Sequence, residues 1–489
     1  MKYLLTYFLL YLNVTAAKPN IILIYTDDQG YGDSSLLNPE SKFKTPHIDS
    51  IGQEGIIFTD GHSSDTVCSP SRYSLLTGRY SWRTYLKKGV ISSTGEPLIK
   101  NDRTTIASIL KRNGYNTAMV GKWHMGMKFN EDGSKILDGP LNKGFDYYYG
   151  IPASMNYGYN AWYEMDRANV PPTLWTRKKP NKIALNDYRI IPPYDKQPLD
   201  KRDIRVAEDF TDIDVLKNFT NKALSWIDEN HNNGKPFFLY FPMTSPHKPV
   251  IPAEQFRGKS LSGSYGDFMI ETDFRVGEII QRLKKHGIYE NTMIIFSSDN
   301  GPEHTWEERI KKYNHCSNKN YKGGKRDIYE GGHRVPFLVS WPKGIKKGQV
   351  CNLPVNQIDI LATIADVVGE KLKHFEAEDS VSFQPAFHGK NYERQPMIHH
   401  SSTGGFAIRN GDWKLVLGTG KQSKPGSMEL YNLKEDPGEE SNIIKTNSEK
   451  ALELKKLATK IINSGRTTKG DVSENDSPLT LWWEKSTGN

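Results

Sequence analysis

Cys68 opens the stretch CSPSRYSLLTGRY (residues 68–80) and is one of only three cysteines in a chain of 489 residues. Ser69 is a good helix cap and Pro70 suits a first helical turn, so the sequence predicts a helix that begins here. Free N–H groups at the start of a helix attract an anion, and Arg72 adds a positive charge. Two interpretations remain open: a reactive thiolate whose pKa this setting lowers, or a buried thiol beside a helix start.

Two polar pairs carry side-chain oxygens of the kind that bind a metal ion. Asp27-Asp28 and Asp299-Asn300 each follow a short apolar run. Carboxylate and amide oxygens are the ligands that Ca²⁺ and Mg²⁺ prefer, whereas zinc more often takes His and Cys. One such pair is usually a turn or a helix cap. Two pairs after separate runs favour a metal site.

Four further residues carry cationic or proton-transferring groups. Lys122 and His124 lie in GKWH, His247 lies in TSPH and Lys325 lies in GGKR. A lone Lys is usually a solvated surface residue, and a lone His is more often satisfied within the structure. None of the four therefore identifies a site by itself.

Four short apolar runs must position these side chains, because each run stops abruptly in polar residues. They are NIILIY before Thr26, NTAMV before Gly121, FFLYF before Thr244 and MIIF before Ser297. Helical patterns such as TIASILKRNG and FTNKALSWIDE lie between them, which is typical of an α/β protein with a mainly parallel sheet covered by helices on both faces. Ligands bind such sheets at the carboxyl ends of the strands, so we expect the polar ends to converge on one cleft.

The composition of the remaining chain indicates its domain organisation. Hydrophobic residues make up 36% of the chain and charged residues 25%, as in soluble globular proteins, and no segment after the N-terminus has the apolar length of a membrane helix. We predict a signal peptide at 1–17, a catalytic domain at 18–384 with an aromatic, Pro-rich, cleft-covering insertion at 144–201, a small C-terminal α+β domain at 385–464, and a loose tail at 465–489.

The signal peptide predicts export, and export affects how the cysteines are interpreted. Because an oxidising compartment favours paired cysteines, we expect Cys316 and Cys351 to form a disulfide and Cys68 to be kept for chemistry. The net charge of +8 favours an anionic partner, although solubility alone explains so small an excess on so long a chain.

Two continuous motifs carry a resemblance to a known family. Residues 68–78 resemble the first signature of the type I sulfatases, and residues 114–117, continuing through 121–124, resemble the second. Both are complete and in the expected order, which is more specific than one short motif. The similarity extends over most of the chain and is weakest in the central insertion; further matching segments are residues 20–21, 27–28, 45–49, 245–247, 299–301, 324–326, 329–332 and 411–415. The resemblance implies the alkaline-phosphatase-like fold: a large mixed, mainly parallel sheet between helices, and a small C-terminal α+β domain with an antiparallel sheet.

The family resemblance also implies a mechanism. A formylglycine-generating enzyme or an anaerobic maturase would oxidise Cys68 to Cα-formylglycine, whose hydrate is the nucleophile and forms a covalent sulfo-enzyme intermediate. One Ca²⁺ ion would be held by residue 68 and by the residues Asp27, Asp28, Asp299 and Asn300.

The same resemblance implies roles for the other polar residues. Arg72, Lys122 and Lys325 would neutralise the sulfate oxygens. His247 would protonate the departing alcohol, and His124 would remove the second proton of the diol. Ser154 would also contact the sulfate.

The sequence is compatible with three functions. The first is an exported sulfatase acting on sulfated carbohydrates, suggested by export, by the aromatic residues between Tyr147 and Tyr163, and by the basic run Arg177-Lys178-Lys179. The aromatic residues also fit a packed lid without sugar contact. The alternatives are a phosphoester hydrolase of the same superfamily and a carbohydrate-binding relative that has lost activity. We expect a secreted or periplasmic protein, lysosomal or extracellular in a eukaryote, with no nucleic-acid partner and no membrane span.

Overall fold

A computed structural model describes residues 18–177, 189–418 and 428–484. The predicted signal peptide and the residues Lys178 and Lys179 of the basic run lie outside the described residues. The strands are β1 (Asn20–Asp27), β2 (Ile56–Phe58), β3 (Gly61–His62), β4 (Asn116–Lys122), β5 (Lys128–Phe129), β6 (Ile136–Asp138), β7 (Tyr147–Ile151), β8 (Tyr163–Glu164), β9 (Arg167–Ala168), β10 (Leu174–Thr176), β11 (Ile204–Val206), β12 (Phe237–Pro246), β13 (Thr292–Ser298), β14 (Phe337–Ser340), β15 (Gln349–Cys351), β16 (Val355–Asn356), β17 (Met397–His400), β18 (Phe406–Asn410), β19 (Trp413–Gly418) and β20 (Glu429–Asn432). The α-helices are α1 (Pro46–Gln53), α2 (Cys68–Thr77), α3 (Ile106–Arg112), α4 (Val215–Asn230), α5 (Gly263–Lys285), α6 (Trp306–Tyr313), α7 (Glu330–His333), α8 (Ile360–Val368) and α9 (Ser448–Asn463).

The four apolar runs of the sequence become β1, β4, β12 and β13, which lie side by side in one ten-stranded sheet. Its strand order is β15-β2-β14-β13-β1-β12-β4-β7-β8-β9. The strands from β13 to β7 in this order are parallel to their neighbours, and β14 and β8 pair antiparallel at the two flanks. The predicted α/β class with a large mixed, mainly parallel sheet is therefore confirmed.

Helices cover both faces of this sheet in two groups. Helix α5 contacts both α1 and α4, and α2, α3 and α8 form a second contacting group. The central strand β1 is buried along its apolar run, where Ile21, Ile22, Leu23 and Ile24 have no exposed surface. Such two-sided burial explains why the central strands are apolar without alternation.

The strand register brings the polar ends to one edge of the sheet. Asp27 at the end of β1 lies opposite Pro246 of β12, and Thr26 lies opposite Ser298 of β13. Gly121 precedes Lys122 in β4 with a φ of +141°, and a Cβ atom there would lie 2.0 Å from the carbonyl oxygen of Pro242. Only glycine permits this approach of β4 to β12, which places Lys122 beside the end of β1.

A small sheet follows the main one in the chain. Strands β17, β18, β19 and β20 form it, in that order and antiparallel, and α9 packs on β18 and β19. This agrees with the predicted C-terminal α+β unit. Across the described residues we find no helix with the length and apolar character needed to cross a membrane.

The predicted insertion at 144–201 is in part a piece of the main sheet. Residues Tyr147–Ile151 form β7, which pairs in parallel with β4. The prediction that the insertion begins at residue 144 is wrong for this segment, because its tyrosines pack as strand side chains of the main sheet, with Tyr148 fully buried. Tyr and other aromatic residues are common in strands.

The predicted loose tail is wrong for residues 465–484, because this segment packs on the catalytic part of the chain. Arg83 donates to the Asn475 side chain at 2.9 Å, and the backbone N–H of Asp476 donates to the Arg83 carbonyl at 2.8 Å. Asp476 also pairs with Arg79 at 3.0 Å, and Trp483 is buried. We call residues 465–484 the C-terminal segment.

The predicted disulfide between Cys316 and Cys351 is also wrong, since both thiols are free. Cys316 lies in the loop after α6, where its thiol donates to the carbonyl oxygen of Lys319 at 2.6 Å. Cys351 ends the edge strand β15 opposite Phe58 of β2. The two residues belong to different surroundings, which a count of cysteines does not reveal.

Candidate active site

Cys68 is the first residue of α2, and its side chain lies at the edge of the sheet where the polar strand ends meet. Val67, not Ser69, is the N-cap residue, and no side chain caps this helix. The Ser69 hydroxyl instead accepts the backbone N–H of Ile91 at 3.1 Å. The Cys68 Sγ atom lies 3.5 Å from Asp27 Oδ1 and 3.6 Å from Lys325 Nζ.

The surroundings of Cys68 disfavour a thiolate. Burial raises the pKa of the Cys68 thiol, and the carboxylates of Asp27 and Asp299 raise it further. The ammonium groups of Lys122 and Lys325 oppose this rise but do not overcome it. The open interpretation of Cys68 as a thiolate with a lowered pKa is therefore wrong, because burial and neighbouring carboxylates outweigh the helix N-terminus.

Three carboxylates converge on Cys68 from two strand ends. Ligand atoms of Asp27, Asp28, Cys68 and Asp299 all lie within 4.8 Å of one another, and all four residues are buried. Asp28 has a φ of 66°, a left-handed conformation that is uncommon outside glycine, and its N–H donates to Asp299 Oδ1 at 3.1 Å. The Asn300 side chain donates to Asp28 Oδ1 at 2.8 Å. We call Asp27, Asp28, Asp299 and Asn300 the strand-end cluster.

The strand-end cluster has the properties of a cation site. Asp28 Oδ2 and Asn300 Oδ1 are buried and have no hydrogen-bond partner. Burial, followed by the charge of Asp27, raises the pKa of Asp299 to about 6, although Arg72 opposes this rise. Buried polar atoms are normally satisfied, so oxygens without partners and repelling carboxylates indicate room for a bound cation. The donors are hard oxygens, which fit Ca²⁺ or Mg²⁺.

Two cations hold the cluster from within the protein. Arg72 donates to Asp299 Oδ2 through Nε at 3.0 Å and through Nη2 at 2.7 Å, and its Nη1 donates to the Lys122 carbonyl at 3.1 Å. The Lys122 ammonium donates to Asp27. Both side chains are fully buried, so they position and neutralise carboxylates.

Lys325 and two histidines face the open side of the cluster. Lys325 forms an ion pair with Asp28. Burial by itself would raise the pKa of Asp28, but the charge of Lys325, together with His247, outweighs burial and lowers this pKa to about 2. Burial lowers the pKa of His247 to about 3, although Asp28 acts in the opposite direction. Burial and the charges of Lys122 and Arg72 hold the pKa of His124 well below its usual range. Both histidines are therefore neutral at neutral pH in the free protein.

A cavity of about 710 Å³ opens onto these side chains. Cys68, His124, His247 and Lys325 line it, whereas Arg72 and Lys122 do not. Both ring nitrogens of His124 are without a hydrogen-bond partner. Around residue 68 the cavity thus presents the Lys325 ammonium and the neutral imidazoles of His124 and His247 to a ligand, an arrangement suited to an anionic ester.

Sequence comparison identifies the family. The family model described as Sulfatase matches residues 19–370, and the model described as N-sulphoglucosamine sulphohydrolase, C-terminal, matches residues 322–466. The chain belongs to the type I sulfatase family. The sulfatase is thus a sulfuric ester hydrolase, as the sequence motifs predicted.

The alignments with similar proteins cover most of the sulfatase. It is 32% identical to an N-acetylgalactosamine-6-O-sulfatase of Bacteroides thetaiotaomicron, over 90% of this chain and 92% of that protein. It is 30% identical to N-acetylgalactosamine-6-sulfatase of Mus musculus, over 82% of this chain and 72% of that protein. A solved structure from work on glycosaminoglycan metabolism by Bacteroides thetaiotaomicron matches with a TM-score of 0.78 and 30% identity, covering 91% of this chain and 100% of that one.

The sulfatase brings the sequence-predicted site residues to one edge of the sheet, although Arg72, Lys122 and Ser154 do not line the cavity. Ser154 is buried with an unpartnered hydroxyl, but it is not among the residues that line the cavity. Its neighbours Asn156 and Tyr157 line the cavity instead, and Tyr157 lies beside His124 with ring centroids 5.7 Å apart. The predicted insertion therefore contributes to the site through these two residues.

Sequence reasoning missed several residues of the cavity wall. Lys248 and Arg326 line the cavity and directly follow the predicted His247 and Lys325, so their positions were a usable signal. Ser402 and Thr403 of the sulfatase come from the loop between β17 and β18 in the C-terminal sheet. No motif marks these two residues, because their place in the cavity depends on domain packing.

Proposed function

We propose that this sulfatase removes sulfate from sulfated sugars, using residue 68 as the site of its nucleophile. One observation carries the proposal: Cys68 lines the cavity, and its Sγ atom lies 3.5 Å from Asp27 of the strand-end cluster and 3.6 Å from the Lys325 ammonium. A sulfate ester placed there meets a cation and a reactive position at once. Positioned charges of this kind stabilise a transition state by roughly 3 kcal/mol per donor.

The proposed nucleophile is Cα-formylglycine, made from Cys68. A neutral buried thiol is a poor nucleophile, and the pKa of the Cys68 thiol is raised. Cys68 is only 2% exposed in the folded protein, so a modifying enzyme must reach it before folding is complete. A formylglycine-generating enzyme or an anaerobic maturase is the proposed partner. When hydrated, the aldehyde supplies one oxygen to attack sulfur and a second hydroxyl whose deprotonation releases sulfate.

The strand-end cluster is the proposed site of one Ca²⁺ ion. Asp27, Asp28, Asp299 and Asn300 would hold it, together with the oxygen of the modified residue 68. Bound there, Ca²⁺ supplies positive charge that lets two electron-rich groups approach. Arg72 and Lys122 keep their carboxylate partners oriented, because Arg72 donates to Asp299, Lys122 donates to Asp27, and neither side chain lines the cavity.

Proton transfer falls to the two histidines that line the cavity. His124 is neutral and its ring nitrogens are unpartnered, which suits the removal of a proton from the hydrate. The His247 Nδ1 is hydrogen bonded to the Lys248 carbonyl at 2.6 Å, which leaves Nε2 for the departing alcohol. A bound sulfate would raise the pKa of His247, because an adjacent negative charge stabilises the imidazolium. Lys325 holds its proton firmly, since Asp28 and its other anionic neighbours raise its pKa despite burial, so it serves as a fixed positive charge.

The proposed substrates are sulfated carbohydrates, with N-acetylgalactosamine 6-sulfate as the first to test. The two named relatives act on this kind of ester, and the Lys325 ammonium and two histidines that line the cavity suit an anionic group. We further propose that residues 1–17 direct export to the periplasm or the cell exterior, where sulfated polysaccharides occur.

A paired-substrate assay tests this function. The sulfatase, coexpressed with a maturase, should hydrolyse N-acetylgalactosamine 6-sulfate and aryl sulfates faster than the matched aryl phosphate. Mass spectrometry of the peptide that contains residue 68 should show a loss of about 18 Da in the active sample, as expected for thiol-to-aldehyde conversion. Faster turnover of the phosphate, or full activity with an unmodified Cys68, would contradict the proposal. Cys68→Ala is the control for background hydrolysis.

A further inference from the structure

Two basic side chains line the cavity in addition to Lys325. Lys248 follows His247, and Arg326 follows Lys325, so each lies one residue from a group that faces the sulfate position. The Arg326 side chain is 39% exposed and the Lys248 side chain 18% exposed. Arg326 has a φ of +83°, which is uncommon for a residue with a side chain. Strained backbone of this kind is retained mostly at functional sites.

One carboxylate holds both cations in place. Glu303 Oε2 accepts from Lys248 Nζ at 2.9 Å and from Arg326 Nη2 at 3.0 Å, and Glu303 Oε1 accepts from Arg326 Nη1. Glu303 itself does not line the cavity. It therefore orients the two cations from behind without facing a ligand.

The cations around the cavity differ in their carboxylate partners. Lys122, Arg72 and Lys325 pair with Asp27, Asp299 and Asp28 of the strand-end cluster, respectively, and Arg72 also lies 3.8 Å from Asp27. Lys248 and Arg326 share the single carboxylate of Glu303, and the described part of the chain gives neither of them another ion pair. Glu303 therefore offsets only one of these two positive charges.

A second carboxylate, Asp327, also lines the cavity, so the formal charges of Lys248, Arg326, Glu303 and Asp327 sum to zero and the two cations act on a ligand through their position. Asp327 accepts the backbone N–H of Gly324 at 3.0 Å, a contact within its own turn. It makes no ion pair with Lys248 or Arg326 among the described residues. The wall formed by Lys248 and Arg326 is thus a preorganised and partly desolvated site for one anion.

We propose that Lys248 and Arg326 form a subsite for a second anionic group of the substrate, next to the sulfate that is removed. The inference rests on the proposed function, because it assumes that the scissile sulfate lies at residue 68. The second group is a sulfate on the same sugar or a carboxylate on the adjoining sugar, since both offer the oxygens that a guanidinium binds. The preferred substrates of this sulfatase are accordingly polyanionic sugars. Esters with a single charge are poorer substrates.

Binding to an inactive full-length variant tests the subsite without any turnover. In a Cys68→Ala background, calorimetry compares N-acetylgalactosamine 6-sulfate with two probes: N-acetylgalactosamine 4,6-disulfate, and a disaccharide of N-acetylgalactosamine 6-sulfate and glucuronate. We expect at least one doubly charged probe to bind about 10-fold more tightly, a difference of about 1.4 kcal/mol. This preference should shrink as ionic strength rises. The probe that shows it identifies the second group as sulfate or carboxylate.

Substitution of the two cations completes the test. Lys248→Met together with Arg326→Met should lower the preference to about 2-fold or less, because an exposed uncharged side chain offers no charge-assisted hydrogen bond. Arg202→Met is the matched control, since Arg202 is 75% exposed and pairs with Asp200 away from the cavity, and it should leave the preference unchanged.

Three results overturn the subsite: equal affinity of the parent for all probes, no measurable binding of any probe, or a preference that survives the double substitution. The proposed function fails separately, when the modified wild-type enzyme does not hydrolyse sulfate esters.

Discussion

Asp28 in the strand-end cluster and Asp379 beside the C-terminal segment are both fully buried carboxylates that face a cation. Asp379 Oδ1 accepts from Arg83 Nη2 at 2.8 Å and from the Thr467 hydroxyl at 2.7 Å. Asp379 Oδ2 accepts from Arg83 Nε at 2.8 Å and from the backbone N–H of Tyr80 at 3.0 Å. Every oxygen of Asp379 therefore has two donors.

Asp28 differs from Asp379 in having an oxygen without a partner. Its Oδ1 accepts from Asn300 and Lys325, whereas its Oδ2 has no hydrogen bond. The pKa of both carboxyl groups is lowered, because a neighbouring cation, Lys325 or Arg83, outweighs burial in each case. The direction of the pKa change thus does not separate a functional from a structural carboxylate. What distinguishes the two carboxylates is the Asp28 oxygen that has no hydrogen-bond partner.

The largest expected difference is in catalysis. Asp28→Asn should lower kcat/KM for sulfate ester hydrolysis about 10³-fold, because it removes a proposed cation ligand from the position of the reaction. The measurement is steady-state kinetics together with the calcium content of the purified protein. Normal calcium content and activity within a few fold of wild type would show that the unmatched oxygen has no functional meaning.

The matched substitution at the other carboxylate should act on stability. Asp379→Asn leaves the buried Arg83 guanidinium without its charge partner, so the free energy of unfolding should fall by about 3–5 kcal/mol. Activity per folded molecule should remain at the wild-type level, because Asp379 does not line the cavity. Chemical denaturation measures the first quantity and active-site titration the second. A stable but inactive Asp379→Asn protein would reverse the assignment of the two regions.

A third difference concerns pH and calcium. The pKa of Asp299 is raised to about 6 from 3.8, so its contribution to stability is present below about pH 4 and is lost as pH rises through about 6. The calcium-free protein should lose up to about 3 kcal/mol over this interval from this group, at 1.36 kcal/mol per pKa unit. Calcium should restore that loss, so the calcium-induced rise in Tm should grow from pH 4 to pH 6. A rise that is independent of pH would contradict the cation site at Asp299.

The smallest effect is expected at a partly exposed ion pair of the C-terminal segment. Asp476 pairs with Arg79 at 3.0 Å and with Lys100 at 3.4 Å, and its side chain is 19% exposed. Asp476→Asn should lower the free energy of unfolding by about 0.5–1 kcal/mol, since solvent screens such pairs. Thermal unfolding of the Asp476→Asn and Asp379→Asn proteins under the same conditions compares the two losses in the free energy of unfolding. An equal loss in both variants would mean that burial of the carboxylate is unimportant here.

The sequence predicted the sheet and the strand-end cluster because both follow from local patterns. The apolar run before Asp27 and the one before Asp299 each predict a strand, and the polar residues that follow directly mark the end of that strand. The edge that they share follows from the rule that parallel strands place their carboxyl ends together. The register of β1 between β12 and β13 then brings residues that are far apart in sequence into contact.

The errors arose where the outcome depends on distant packing. The polar composition of residues 465–484 suggested a loose tail. In the folded protein, however, Asn475 accepts a hydrogen bond from the buried Arg83, and Asp476 forms an ion pair with the buried Arg79. The motif names Arg72 but does not show that its guanidinium points to Asp299 instead of the cavity. Ser69 is a typical helix-capping residue, yet its hydroxyl accepts a hydrogen bond from the backbone N–H of Ile91, which lies 22 residues further along the chain.

The cavity wall comes from two sheets and their connections, because Ser402 and Thr403 from the loop between β17 and β18 line it together with Cys68 of α2 and His124, which follows β4. Ligand choice can therefore be varied through a hairpin loop without altering the elements that carry Cys68 and His124. For the engineer, the same arrangement offers a loop that can be exchanged between relatives to redirect the enzyme to another sugar.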